Sequence, residues 1–365
     1  VVSYITSNSF IKADYGQGLR SLISEESSII SLVNIDQSQI FETATVNTAI
    51  LTFRSNTASS NVSVFNAALD EGISDFSDYV KKNSISKKRE DFGKKAWLLI
   101  DEKTSILINK VRSSGITLES TRTKIRLGLA TGANEAFVLD EKQKDKLIKS
   151  DPKNHEIIKR ALRGRDLSRY SYKTSKYILL TKNGIDVKKE YPTIYEYLDG
   201  FDEKFKLRGA QGQHWTNLRA SAFFDDFKKE KIVWIELTNK SKFAVCTEEV
   251  YLLNSCYFML PPEGYPIGGL TGVLNSKVIQ FYMDTVSQTS GMGTNRWINT
   301  VVKDFPLPVL NEANIKILKQ VDALVTKMAD SPTTQVDLED IINKYVYQLY
   351  GLTDSDIFEI EGATR

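Results

Sequence analysis

The alternation of short apolar runs with amphipathic helical patterns limits the fold of this chain more than any other feature. The first fifty-odd residues read VVSYIT, YGQGLRSLISEE, SIISLVNI and TVNTAILTF, a pattern that predicts strand, helix, strand and strand. Strand and helix patterns alternate again from residue 116 to residue 310. After the prolines of DFPLPV, residues 311–329 and 335–350 have helical patterns. The sequence therefore predicts a mixed α/β fold that ends in helices.

Composition indicates an ordinary globular protein. The chain has 365 residues, of which 41% are apolar and 26% charged, and a chain of this length accommodates about two or three domains. No apolar run approaches the roughly 18 residues of a membrane helix, and no secretory leader is recognisable, which favours a cytoplasmic protein. Cys246 and Cys256 lie in strand-like surroundings without CxxC spacing. We expect buried free thiols rather than a disulfide or a zinc site.

Charge is distributed unevenly, although the net charge is only +2. Residues 158–189 contain ten basic and two acidic side chains, whereas residues 311–365 contain five basic and ten acidic ones. The first segment could hold phosphate groups, and the second could not.

Catalytic motifs are missing from the sequence. It contains no GxSxG, HExxH or P-loop lysine, and GMG at residues 291–293 is a weak phosphate-binding signal in a Ser/Thr/Asn-rich loop. The carboxylates of DEK and FDEKF are expected to lie on solvated faces. No catalytic, cofactor-binding or metal-ligating residue is predicted in this chain.

Several loose motifs become informative through their order. They are YITSNSF, DYGQGLRSLI, QIFETATVNTAIL, KIRLGLATGANEAFVLD, LRGRDLSRY, GQHWTNLR, YLLNSCYFML, GLTGVLNSKVIQFYM, WINTVVKDFPLPVL and VDLEDIINKYVYQLYGLTDSDI. In this order the motifs resemble the carboxyl-terminal part of the TaqI-like adenine-specific DNA methyltransferases of the type IIG restriction-modification group. The resemblance covers nearly the whole chain apart from residues 55–115.

The resemblance implies a domain organisation. Residues 1–58 would be the closing strands of an incomplete S-adenosylmethionine-dependent methyltransferase domain, and residues 59–115 a connecting segment. Residues 116–310 would form a mixed α/β target-recognition domain, followed by a helical tail at residues 311–365. The family hallmark (D/N)PP(Y/F) and the Gly-rich cofactor loop do not occur in this sequence.

The missing motifs imply that catalysis belongs to an upstream catalytic half of the same polypeptide. S-adenosylmethionine would be the cofactor of the complete enzyme and not of this chain, which alone is not expected to transfer a methyl group. The implied partners are double-stranded DNA and the upstream half. A protein partner is a further option for the acidic helical tail.

One aromatic residue has a role implied by the resemblance. Enzymes that modify a base within a duplex rotate it out of the stack and hold it by stacking. In this family an aromatic residue in an FxxxxV pattern stacks on the flipped adenine, and Phe41 of IFETATV matches that position. The alternative is that Phe41 closes the end of the sheet, as burial statistics alone would favour.

The recognition region offers three groups of candidate DNA-binding residues. The basic stretch ALRGRDLSRYSYK has interleaved tyrosines and suits a groove that follows the phosphate backbone, or else forms a solvated strand-turn face. The stretch GAQGQHWTNLRAS could read base edges, since Arg pairs with guanine and Asn or Gln with adenine, unless its tryptophan is part of the core. The candidates are Arg163, Arg165, Arg169 and Lys173; Gln211, Gln213, Trp215, Asn217 and Arg219; and, in a loop near the end of the region, Asn295 and Arg296.

Other classes of protein stay open. Type I specificity proteins also carry GxLNSxxxxFY and IPxP-like segments, but they normally contain two recognition domains where this chain shows one. A nuclease would need an ExK strand, which the sequence lacks. A non-catalytic protein-interaction module would explain the acidic tail but not the basic segment.

Overall fold

The computed structural model describes residues 1–35, 41, 46–55, 61–67, 69, 72–287, 294–330 and 335–364. Two compact units divide the chain. The first comprises residues 1–114, 280–296 and 353–365, and the second comprises residues 115–279 and 297–352. Both strands and helices occur in each unit, which confirms the predicted mixed α/β class.

The strands are β1 Val2–Ser7, β2 Ser27–Ile35, β3 Thr48–Ser55, β4 Asn61–Ala67, β5 Ile85–Lys88, β6 Gly115–Thr117, β7 Ile125–Leu127, β8 Val138–Leu139, β9 Ile158–Leu162, β10 Leu167–Ser168, β11 Ser171–Tyr172, β12 Lys176–Leu179, β13 Lys231–Ile235, β14 Phe243–Cys246, β15 Tyr251–Leu252, β16 Cys256–Met259 and β17 Pro306–Pro308. The α-helices are α1 Gln17–Glu26, α2 Phe76–Asn83, α3 Glu102–Ser113, α4 Asn134–Phe137, α5 Glu141–Ser150, α6 Val187–Glu190, α7 Pro192–Asp199, α8 Glu203–Lys206, α9 Ile267–Asn275, α10 Lys277–Val286, α11 Asn299–Val302, α12 Glu312–Asp330, α13 Gln335–Leu349 and α14 Asp354–Ala363.

The first unit is built on a five-stranded sheet in the order β1-β3-β2-β4-β5. Strands β2 and β4 are parallel, and the other neighbours are antiparallel. Leu32, Leu51 and Val64 form its buried face, and Trp97 is fully buried with them. The stretch predicted to be a connecting segment supplies β4 and β5 to this sheet. In β4 the valines alternate with polar Asn and Ser residues, which is the pattern of a strand with one buried face. The many polar residues of this segment made the strand hard to recognise from the sequence.

Strand β1 lies at one edge of that sheet. Among the described residues it pairs with β3 alone, and its side chains Val2, Tyr4 and Ile5 are exposed. The backbone groups and apolar side chains of an exposed edge strand can pair with another strand.

The second unit contains two four-stranded sheets. Their orders are β15-β9-β12-β8 and β14-β13-β16-β7, and β17 pairs with β6 in a smaller sheet. Strands β9 and β15 are parallel. The sequence pattern predicts a strand at 243–246 and a helix at 141–150, and the structure has both with these bounds. It also predicts a strand at 251–260 and helices at 193–205 and 269–286. Each of these is interrupted: the strand by exposed residues 254 and 255, the first helix by Gly200 and the second by Ser276.

The carboxyl-terminal segment is shared between the units: residues 311–352 belong to the second and residues 353–365 to the first. Helix α12 packs on α9, where an added Cβ at Gly269 would meet the Leu318 carbonyl oxygen at 2.4 Å. The Asp322 carboxylate accepts hydrogen bonds from two backbone N–H groups at the start of α9. The sequence predicts that the helix after Thr334 is capped by Thr334 and stopped by Gly351. Gly351, at φ +60°, follows the end of α13, whereas Thr334 lies outside the described residues.

Acidic side chains of the tail pair with basic side chains of the same unit. Within the first unit Lys110 contacts Asp356 at 2.6 Å and Lys103 contacts Glu359 at 2.5 Å. Part of the acidic charge that suggested a separate protein partner is therefore paired inside the chain.

Both cysteines are buried and unpaired, and burial raises the pKa of the Cys256 thiol to about 12. In the described ranges, no helix combines the length and the apolar character needed to cross a membrane.

Candidate functional site

Several strands of the second unit end next to one another, and the loops that follow them form one surface. The Leu253 N–H donates to the Leu162 carbonyl at 2.9 Å, and the Gly164 N–H donates to Ser255 Oγ at 2.9 Å. The Glu236 N–H donates to the Ser255 carbonyl at 3.0 Å. We call residues 163–166, 236–238 and 253–255, which follow β9, β13 and β15, the strand-end surface.

Arg165 is the exposed cation of the strand-end surface. Arg163 forms two hydrogen bonds with the Asp166 carboxylate, of 2.8 and 2.7 Å, and this contact raises the pKa of the Arg163 guanidinium. Arg163 is therefore largely neutralised by its neighbour. Arg165 is exposed and makes no ion pair within the described part of the chain. Of Arg163 and Arg165, Arg165 is therefore the exposed one.

Arg169 has a structural role in the second unit. It contacts Glu339 at 3.0 Å and donates to the Ser241 hydroxyl and, at 2.7 Å, to the Asn275 carbonyl. These partners come from three different segments, so Arg169 holds them together and is not displayed for DNA. Lys173 is exposed.

A second candidate is the recognition loop, residues 209–219. It folds back on itself, since the Gly212 N–H donates to the Asn217 carbonyl at 3.0 Å. The Leu218 N–H then donates to the Thr181 carbonyl at 2.8 Å, which attaches the loop to the end of β12. The loop is therefore held by backbone bonds on both sides.

Gly212 is needed for this close approach. An added Cβ would lie 2.1 Å from Asn183 Oδ1 and 2.5 Å from the Leu218 carbonyl oxygen. No side chain fits at these distances without moving backbone, so the position accepts glycine alone.

Three of the predicted base-reading residues hold the loop in place. The Asn217 side chain is buried and donates to the carbonyls of Lys182 and Ile185, both at 3.1 Å. Trp215 packs on Phe205 with ring centroids 5.7 Å apart, as the core alternative expected. Gln211 Nε2 donates to the Lys206 carbonyl at 2.7 Å. The exposed polar side chains of the loop are Gln213, His214 and Arg219.

Arg208 is a functional candidate that the sequence analysis missed. It is only 8% exposed, and its guanidinium lies over the Phe137 ring at 4.5 Å from the centroid. It donates to the backbone carbonyls of Thr131, Phe205, Trp215 and Asn217. Burial lowers the pKa of Arg208 to about 10, which leaves it charged at neutral pH. The position of Arg208 immediately before a Gly-rich loop is the one sequence feature that could have indicated its role.

A groove of about 520 Å³ runs along one side of the recognition loop. Its walls include Gln213 and His214 from the loop and, opposite them, residues 184–188 and Tyr195. Polar tips of the loop thus face an open space rather than packed protein.

The remaining candidates lie in the first unit. Asn295 is buried and donates to the Asp284 carboxylate at 2.5 Å, so its amide has a structural partner. Arg296 is exposed. Phe41 is 43% exposed. The residues on either side of Phe41 lie outside the described part.

The region that contains these loops matches a known protein family. Residues 159–307 match the model of the TaqI-like C-terminal specificity domain. This stretch is a TaqI-like specificity domain. It includes the strand-end surface and the recognition loop, and it confirms the family expected from the order of the motifs.

Two curated relatives are type II methyltransferases. M.MjaIV of Methanocaldococcus jannaschii is 25% identical over 170 residues, which are 44% of this chain and 56% of the relative. M.BstVI of Geobacillus stearothermophilus is 20% identical over 372 residues, 92% of this chain and 64% of the relative. The chain thus spans a little more than half of the relatives it matches.

Among solved structures, the fold resembles that of the type IIL restriction-modification enzyme MmeI, determined in complex with DNA. The TM-score is 0.60 at 14% identity, and the match covers 99% of this chain and 49% of MmeI. The fold of this chain therefore has a counterpart among solved structures.

Proposed function

We propose that this chain is the sequence-recognition part of an adenine-specific DNA methyltransferase of a restriction-modification system. The observation that carries the proposal is the specificity-domain match over residues 159–307, because this region contains both surfaces with exposed polar and basic side chains. The relatives' names add the reaction class, methyl transfer.

The two surfaces would divide the work of binding. Contacts to phosphates position a protein on the duplex, whereas contacts to base edges select the sequence. Arg165 of the strand-end surface and Lys173, further along the basic stretch, are exposed cations suited to phosphates. Gln213 and Arg219 carry the donor patterns that read adenine and guanine in the major groove.

Phe41 is proposed to stack on the adenine that is rotated out of the duplex. Its partial exposure leaves ring surface for such contact, and base–aromatic stacking contributes about 1 to 3 kcal/mol per base. Phe41→Ala should therefore reduce methyl transfer by the complete enzyme while leaving duplex binding by this chain nearly unchanged.

An upstream catalytic half is proposed as a partner of the first unit. The exposed apolar edge strand β1 offers a surface that such a half could extend by strand pairing. That half would also bind S-adenosylmethionine.

A selection experiment tests the recognition role. The chain is titrated with a pool of random-sequence duplexes at low and at moderate salt, and the retained duplexes are sequenced. Enrichment of one short sequence, with affinity that falls steeply as salt rises, is the expected result. Salt-sensitive binding without enrichment would assign sequence choice to the upstream half, and absence of binding would favour a protein-interaction module.

A further inference from the structure

We propose that Arg208 is a positioning residue for sequence readout: it holds the recognition loop so that Gln213, His214 and Arg219 meet the base edges. The inference rests on the proposed function, since it assigns to one buried residue the geometry of the loop that would select the sequence.

The hydrogen bonds of Arg208 connect the loop to the segment after β7. Two of its carbonyl acceptors, at Trp215 and Asn217, belong to the loop, and a third, at Thr131, lies 77 residues away in the segment after β7. Every one of these acceptors is backbone, so Arg208 fixes the path of the chain rather than one side chain. A guanidinium can do this because its five N–H groups lie in one plane with fixed directions.

Arg208 has no route to the duplex itself. It is 8% exposed and covered by the rings of Phe137 and Phe205, at 4.5 and 4.8 Å from the centroids. An effect of its substitution on DNA binding would therefore act through the loop. Base readout requires hydrogen-bond geometry, whereas attraction to phosphates acts over several ångströms. Loosening the loop should therefore reduce the preference for one sequence more than it reduces general affinity for DNA.

The experiment compares two duplexes, the sequence selected by this chain and a scrambled version of the same length. In Arg208→Lys the ratio of the two affinities should fall about tenfold or more, the scale of one lost base contact. Affinity for the scrambled duplex and the salt dependence should stay within about twofold of the parent chain.

Two glycine variants test the geometry of the loop without changing Arg208. In Gly212→Ala the added methyl collides with Asn183 and with the Leu218 carbonyl, whereas Gly209 in the same loop has no atom within 4 Å of its Cβ position. Gly212→Ala should therefore lower the affinity ratio as Arg208→Lys does, and Gly209→Ala should not. Thermal unfolding of each variant separates this effect from a general loss of folded protein.

Three outcomes are distinguishable. A lowered ratio in Arg208→Lys and Gly212→Ala with normal Gly209→Ala supports the inference. A ratio that survives in both variants, even with a lowered melting temperature, overturns the inference and leaves the proposed function standing. No preference between the duplexes in the parent chain overturns the proposed function, and the inference with it.

Discussion

The basic stretch at residues 161–173 and the recognition loop at residues 209–219 bond their polar side chains to different kinds of partner. In the basic stretch, two of the four candidate cations are paired with carboxylates: Arg163 with Asp166 and Arg169 with Glu339. In the recognition loop, Gln211 and Asn217 donate to backbone carbonyls, as the neighbouring Arg208 does, and Gln213 and Arg219 stay exposed.

This difference shows that a high count of charges does not by itself identify a binding surface. Along residues 158–189, Arg160 also pairs with an acid, Glu248, at 2.6 Å. The recognition loop has fewer cations but a defined backbone path, which is the property that directional hydrogen bonds to bases require. We therefore expect the basic stretch to contribute general attraction and the loop to contribute sequence choice.

Arg169→Ala should have the largest effect, and the effect should be on stability. It removes bonds to Glu339, Ser241 and Asn275 and leaves a partly buried carboxylate without its partner, which costs about 2 to 3 kcal/mol. Urea unfolding measures the change, with Arg165→Ala as the exposed control in the same stretch. Equal destabilisation by both variants would contradict the structural role of Arg169.

Arg219→Ala should change which duplexes bind. A lost base contact costs about 1 to 3 kcal/mol at one position of the site, and Arg219 is exposed at the end of the recognition loop. Repeating the selection with the variant should show one position of the selected sequence relaxed. A uniform loss of affinity on all duplexes would instead place Arg219 on a phosphate.

Arg165→Ala and Lys173→Ala should weaken binding to every duplex to a similar degree. Each phosphate contact contributes about 0.9 to the slope of log affinity against log salt, so each variant should reduce the slope by about that amount. Fluorescence anisotropy at four or five salt concentrations gives the slopes. Relaxed sequence choice with an unchanged slope would reverse the division proposed between the two surfaces.

Asp166→Asn should have the smallest effect, and in the opposite direction. It removes the charge that neutralises Arg163 and leaves that guanidinium free to attract a phosphate. We expect slightly tighter binding to all duplexes and a slope up to about 0.9 steeper. The double variant Arg163→Ala with Asp166→Asn is the control, since it should lose this gain.

Local patterns in the sequence predict the alternation of strands and helices, the bounds of two elements and, through the order of the motifs, the family of residues 159–307. These properties are local: apolar periodicity, turn residues and short motifs act over a few positions. Tertiary structure decided which charges are displayed, because Arg169 meets its acid 170 residues further along the chain. It also decided that β4 and β5 join the first sheet and that Arg208 holds the recognition loop. Ion pairs, strand neighbours and buried acceptors depend on which distant segments meet, and no local pattern encodes that choice.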